Sequence, residues 1–214
     1  MKPAVSILPH AFMHKIHALL LLALIGTSPL VQAAPAPWTF DPDHARIAFF
    51  VMHDDYAQAI GTFSQIQGTL WFDPDDWSTA RVEATIDLDT LDLGSASLNA
   101  RIAKRDYLDS KNHPQARFVS STVTSLTAQT ARVEGQLELR GTQVPVTLEV
   151  TLNKAARSAW SLRRTVGFSA TATLHRSALG MNAHRNAVGD EVTVRIEVEA
   201  VRARRSQATT QEAD

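Results

Sequence analysis

The chain has 214 residues, 44% hydrophobic and 20% charged, with 21 Lys plus Arg against 22 Asp plus Glu and a formal net charge of −1. Near-neutrality excludes a protein held on nucleic acid by bulk charge. The absence of cysteine excludes disulfides, a thiol nucleophile and thiolate metal centres.

The first element is a targeting segment. Lys2 and Lys15 precede the apolar run Ala18 to Ile25, and Val31-Gln32-Ala33 forms a small-x-Ala ending before Ala34. A basic start, a short apolar core and that ending are the parts of a secretory signal peptide over 1–33. The apolar run falls well short of the roughly 20 residues that cross a bilayer. The expected compartment is therefore the periplasm, and the expected mature domain, 34–203, folds on its apolar core alone.

From Trp38 onward the pattern has period two. Ile47, Phe49, Val51 and His53 share one face, and Thr69 to Phe72 form a second strand. From Arg81 to Leu88, Val82, Ala84, Ile86 and Leu88 alternate with Arg81, Glu83, Thr85 and Asp87. Between Leu91 and Pro114 the period breaks; Leu98 and Ile102 fit a helix near 96–105 that Ser95 or Ser97 caps. Val133, Gly135, Leu137 and Leu139 then alternate with charged and polar residues, a turn at Gly141-Thr142-Gln143 follows, and Val144, Val146, Leu148, Val150 and Leu152 complete a hairpin. Pro145 pushes the start of that second strand toward an edge or a bulge. Phe168 to Leu174 and Val192 to Ala200 are the last two strands, and the tail 204–214, without apolar period, reads as disordered.

These segments give an all-β fold: about eight antiparallel strands with one short helix, arranged as a small barrel or a sandwich. Periodicity does not decide between a filled and a hollow interior, since both bury one face per strand.

Motifs for enzyme chemistry are absent. There is no Gly-x-Ser-x-Gly elbow, no His-Glu-x-x-His pair and no phosphate loop. Asp73-Pro74-Asp75-Asp76 lacks the glycine and glutamate of a calcium loop and reads as a turn. Asp87, Asp89 and Asp92 read as a solvated loop. His44, His53, His113, His175 and His184 never form a ligand-spaced pair, so no metal site and no cofactor is assigned. His53 stands apart because the alternation turns it inward beside Val51, where it would be a strand-end histidine or a polar anchor in an apolar pocket.

Taken in order, several landmarks resemble the YceI-like family of periplasmic polyisoprenoid-binding proteins with a lipocalin-like barrel. They are Trp38-Thr39-Phe40-Asp41 with His44, Phe49 to His53, Gly61-Thr62-Phe63 and Ile66-x-Gly68-x-Leu70-x-Phe72-Asp73. Tyr107-Leu108-Asp109 with His113-Pro114-x-Ala116-x-Phe118 follows, then Gly135 to Val146, similar to the family's Gly-x-Leu-Thr-Leu-x-Gly-x-x-x-Pro-Val hairpin. His175 to Met181 and Val188 to Val192 complete the series. Many members carry Arg-Asp-x-x-Leu-Arg-Ser on the helix, where this chain has Leu98-Asn99-Ala100-Arg101-Ile102-Ala103-Lys104, and His113 stands where Tyr is common.

The resemblance implies a hollow eight-stranded lipocalin-like barrel that holds a long isoprenoid or fatty amphiphile, such as a quinone or polyprenyl phosphate, without covalent chemistry. The candidate wall residues are Phe49, Val51, His53, Phe63, Leu70, Phe72, Phe118, Leu137, Leu148, Phe168 and Val194. Transient membrane contact and a homodimer are both compatible with that reading. An enzyme acting on an amphiphile with His53 as acid or base, and a ligand-free interaction module, are the alternatives.

Overall fold

A computed structural model of the protein describes residues 37–203; the expected signal peptide and C-terminal tail lie outside the described residues. Nine strands follow one another: β1 (Pro37–His53), β2 (Ala57–Phe63), β3 (Ile66–Asp73), β4 (Asp76–Asp87), β5 (Gln115–Ser125), β6 (Thr130–Leu139), β7 (Thr142–Arg157), β8 (Arg164–His175) and β9 (Val188–Arg202), with helix α1 (Ala96–Ile102) between β4 and β5. All pairings are antiparallel, and β1 pairs with β9 to close the sheet. Strands β2 and β3 occupy one position in the ring, because β2 pairs with the C-terminal half of β1 and β3 with its first residues. The result is an eight-stranded barrel closed through the β1–β9 pairing, an arrangement that removes most of the open edge of a flat sheet.

Strand β1 spans both ends of the barrel by changing phase. Its register shifts between Phe40 and Ala45, so even-numbered Trp38 and Phe40 face inward below the shift and odd-numbered Ile47 to His53 above it. At the bulge Asp41 caps itself: one carboxylate oxygen accepts from Asp43 N at 3.1 Å, the other lies 3.0 Å from His44 Nδ1. That hydrogen bond to Asp41 raises the His44 pKa above its ordinary value.

Four local expectations are corrected. The β6–β7 turn is Arg140-Gly141, both at positive φ (56° and 70°), rather than 141–143. Two left-handed residues between paired Leu139 and Thr142 form the tight hairpin whose twist suits the flanking strands. Strand β4 ends at Asp87, and Leu88–Thr90 is a 3-10 turn whose first amides are capped by the Asp87 carboxylate, which accepts from Asp89 N at 2.9 Å. Helix α1 stops at Ile102 instead of 105, because the Ile102 and Ala103 carbonyls accept from Leu108 and Ser110. Ser95 sits at its N-cap without a side-chain cap bond; its hydroxyl meets that of Ser97. Pro145 takes the edge position without a bulge: it pairs with Gln136, while β7 meets β8 only from Glu149 onward, so its missing N–H removes no ladder bond.

Antiparallel alternation puts the β3–β4, β5–β6 and β7–β8 turns at one end, and the β1–β2 turn, α1, the β6–β7 turn and the long β8–β9 loop at the other. The first end is filled by a cluster of Trp38, Phe72, Trp77, Ala131, Leu152, Val166, Phe168 and Ala200. The second carries a cluster that joins upper strand positions to Leu88, Leu91, Leu108, Leu179 and Met181.

Candidate ligand cavity

Between these two clusters the barrel encloses a cavity of about 700 Å³, inside the range of roughly 300–1,000 Å³ usual for small-molecule sites. Its floor is aromatic. Phe72 meets Trp77 edge-on at 5.0 Å and Phe168 at 5.3 Å, with the Trp77 and Phe168 rings 6.2 Å apart and nearly perpendicular. Such edge-to-face packing fixes each ring against its neighbours and closes that end. Above the floor the wall is built by alternate residues of every strand, Val82, Ala84, Val133, Ala170 and Ala172 among them.

Phe49, Val51, His53, Phe63, Leu70, Phe72, Phe118, Leu137, Leu148, Phe168 and Val194 all stand on this wall. They do not play one part. Phe63, Phe72, Phe118 and Phe168 are buried and pack the barrel as well as line it, whereas Phe49, Val51, Leu70, Leu137, Leu148 and Val194 are half-buried and face open space. His53 is exposed at the rim beside Tyr56, which is 89% exposed. The opening therefore lies at the β1–β2 turn, on the side away from the aromatic floor. The lid over the rest of that end comes from Leu98 and Ile102 of α1, from Tyr107 and Leu108, and from Leu179 and Met181 of the β8–β9 loop.

Polar groups on the wall are few and mostly satisfied locally. Arg176 is 4% exposed, and its guanidinium donates to the carbonyls of Gly189 (2.8 Å), Met181 (2.8 Å), Ala183 (2.8 Å) and Val188 (2.7 Å). The planar five-donor fork is suited to gathering several carbonyls at once, and here it ties the β8–β9 loop into a fixed lid. Next to it Ser177 N and Oγ donate to Asp190 at 2.8 and 2.9 Å, and the hydroxyl contact holds the Asp190 carboxyl below its ordinary range. Trp77 Nε1 is buried and has no hydrogen-bond partner among the described residues, while Trp38 Nε1 donates to Phe72 O at 2.9 Å. On the outer side of α1, Arg101 lies 3.2 Å from His184 Nε2 and Tyr107 stacks on the His184 ring, which latches the helix to the β8–β9 loop. Among the described residues no three His, Asp or Glu side chains converge as a metal site would require.

An apolar closed barrel, an aromatic floor and a lid of one short helix plus a stapled loop describe a known architecture. The model of the YceI-like domain matches residues 38–200. The chain belongs to the YceI-like domain family. It is 34% identical over 187 residues to a UPF0312 protein of Pseudomonas putida, covering 83% of this chain and 94% of the relative. Among solved structures it is similar to BcnA of Burkholderia cenocepacia, with a TM-score of 0.68, 25% identity and coverage of 75% of this chain and 98% of the other. A polyisoprenoid binding domain from Saccharophagus degradans shares the fold at a TM-score of 0.58 and 14% identity, covering 79% of this chain and 99% of that one.

Within this YceI-like barrel, sequence periodicity missed three kinds of lining residue. Phe40 lies across the β1 bulge from Ile47, and the change of phase there hides that it shares the inward side. Trp77 opens β4 directly after an acidic turn and carries no alternating neighbour on its N-terminal side. Arg176 looks like a surface residue in sequence; only the bonding of the loop around it reveals a buried staple, and no pattern signals that.

Proposed function

We propose that this protein is a periplasmic carrier for a long-chain isoprenoid or a similar amphiphile, a prenyl quinone or a polyprenyl phosphate, held by apolar contact without a chemical step. The observation that carries the reading is the continuity of the apolar wall from the Phe72–Trp77–Phe168 floor to the rim at His53 and Tyr56. An extended hydrocarbon chain fits a deep apolar sleeve, and its polar end would remain near the rim at His53 and Tyr56. Each buried methylene contributes about 0.8 kcal/mol, so a few isoprene units outweigh an association cost of roughly 4–15 kcal/mol. Membership in the YceI-like family, with a polyisoprenoid binding domain among its structural neighbours, supports the same ligand class. The N-terminal sequence supports export.

The test is titration of the purified protein with a prenyl quinone and with a polyprenyl phosphate, read by quenching of tryptophan fluorescence. Saturable binding of either, dependent on chain length, is the expected result. No saturable binding of any long-chain amphiphile contradicts the reading.

A further inference from the structure

The tip of the β7–β8 hairpin is the most exposed apolar feature among the described residues and has no part in the cavity. Trp160 is 98% exposed and Leu162 65% exposed. A large indole left in water is unfavourable unless something covers it in use. The turn is nevertheless well made. Ser158 N donates to Arg163 O at 2.8 Å, Leu162 N donates to Ser158 O at 3.0 Å, and Arg157 Nη1 donates to Leu162 O at 3.1 Å. Ser158 Oγ accepts from Trp160 N and Ser161 N at 3.3 Å each. The frame holds both apolar side chains outward.

Charge around the tip has one sign. Lys154, Arg157, Arg163 and Arg164 are all exposed, and the chain from Lys154 to Thr165 contains no Asp or Glu. Among the described residues none of the four forms a salt bridge, whereas the strand arginines Arg117, Arg132 and Arg195 each pair with a glutamate. An aromatic tip ringed by cations is the composition of segments that settle at a lipid–water interface: the indole sits at headgroup depth and the cations reach anionic headgroups. The tip is convex and offers two apolar side chains, which suits a deformable surface better than the shaped groove of a protein partner.

We infer that the β7–β8 tip, with Trp160 and Leu162 inserted and Lys154, Arg157, Arg163 and Arg164 around them, is a docking site for an anionic lipid bilayer. The inference does not depend on what the barrel carries. It also sets an orientation. The acidic β3–β4 turn, Asp73 to Asp76, lies at the same end of the barrel and four positions around the eight-stranded ring from the β7–β8 turn. An anionic surface attracts one side of this end and repels the other, so the barrel leans on its β7–β8 side instead of standing on its floor.

Vesicle co-sedimentation of the protein tests this, with phosphatidylglycerol–phosphatidylcholine vesicles set against phosphatidylcholine alone. Binding is expected to the anionic vesicles, to weaken with salt, and to fall about five-fold for each of Arg163→Gln and Arg164→Gln. Trp160→Ser is expected to lower it at least ten-fold and Trp160→Phe much less. Brominated acyl chains are expected to quench the native protein's fluorescence more than that of Trp160→Phe. Because these side chains are exposed, the variants keep the native circular dichroism spectrum. Absence of vesicle binding, or binding unchanged by Trp160→Ser and by the charge substitutions, overturns the inference. So does a Trp160-dependent homodimer or protein complex in place of vesicle binding.

Discussion

Gly135 of β6 lies directly beneath the ring of Phe118 on β5: a Cβ added at Gly135 would come within 2.5 Å of Phe118 Cζ and would also collide with the Val119 carbonyl. The missing side chain is what lets an aromatic ring fold down against the wall instead of projecting into the cavity. Large rings thus strengthen the wall where small residues receive them, and the interior stays open.

Gly135→Ala should therefore destabilise the barrel by about 1–3 kcal/mol, measured by urea denaturation. Adding Phe118→Leu should recover only part of the loss, because the Val119 carbonyl remains in contact. A Gly135→Ala barrel as stable as the parent contradicts this packing account.

Arg176 holds the lid through carbonyls alone. Arg176→Ala leaves the carbonyls of Met181 and Ala183 in the β8–β9 loop, and of Val188 and Gly189 at the start of β9, without this donor and should cost at least about 3 kcal/mol. Hydrogen exchange should rise between Met181 and Gly189 before the strands are affected. Arg176→Lys should restore less than half, since one ammonium cannot reproduce the fork. Full recovery by lysine would show that charge, not geometry, matters there.

The Ser177–Asp190 bonds give the lid a pH dependence whose sign follows from the lowered Asp190 pKa. A carboxyl that titrates lower in the folded than in the unfolded chain stabilises the fold fully above the ordinary carboxylate pKa. That contribution disappears as pH falls through its folded value. Asp190→Ala should cost about 1 kcal/mol or less at neutral pH, given the exposure of the site, and the difference should shrink as pH falls below the ordinary carboxylate range. A stability difference between the two proteins that persists unchanged into acid contradicts the assignment.

Ala172 lines the cavity between Leu148 and Val194. Ala172→Phe should fill open space without expelling a neighbour, changing stability by less than about 1.5 kcal/mol. It should shorten the longest prenyl chain that binds, as measured by titration with a length series. Undiminished binding of the longest chain would place the ligand elsewhere.

Seven of the nine strands and their inward faces were legible because half-burial imposes a period of two; β2 and β5 were not read as strands, and β5 and β7 each carry a register shift that interrupts the period. That period fails where the chain leaves the ladder. The β1 bulge resets the phase, the amides of Leu108 and Ser110 end α1 early, and Arg140 takes a left-handed conformation that its residue type does not advertise. Whether the barrel is hollow was not legible from periodicity, because Gly135 and Ala172 are both small and inward. Gly135 is filled by Phe118 and Ala172 borders open space, and only the three-dimensional neighbourhood tells them apart. The Trp160 tip carries no period, so a sequence reading passes over it as a loop.

The most direct measurement is native mass spectrometry of the protein purified from its own host under conditions that retain bound lipid. The account predicts a mass increment that organic extraction removes and identifies as a long-chain isoprenoid or similar amphiphile, with a shorter or absent increment in Ala172→Phe. A protein that carries no amphiphile from its host and takes up none when offered contradicts it.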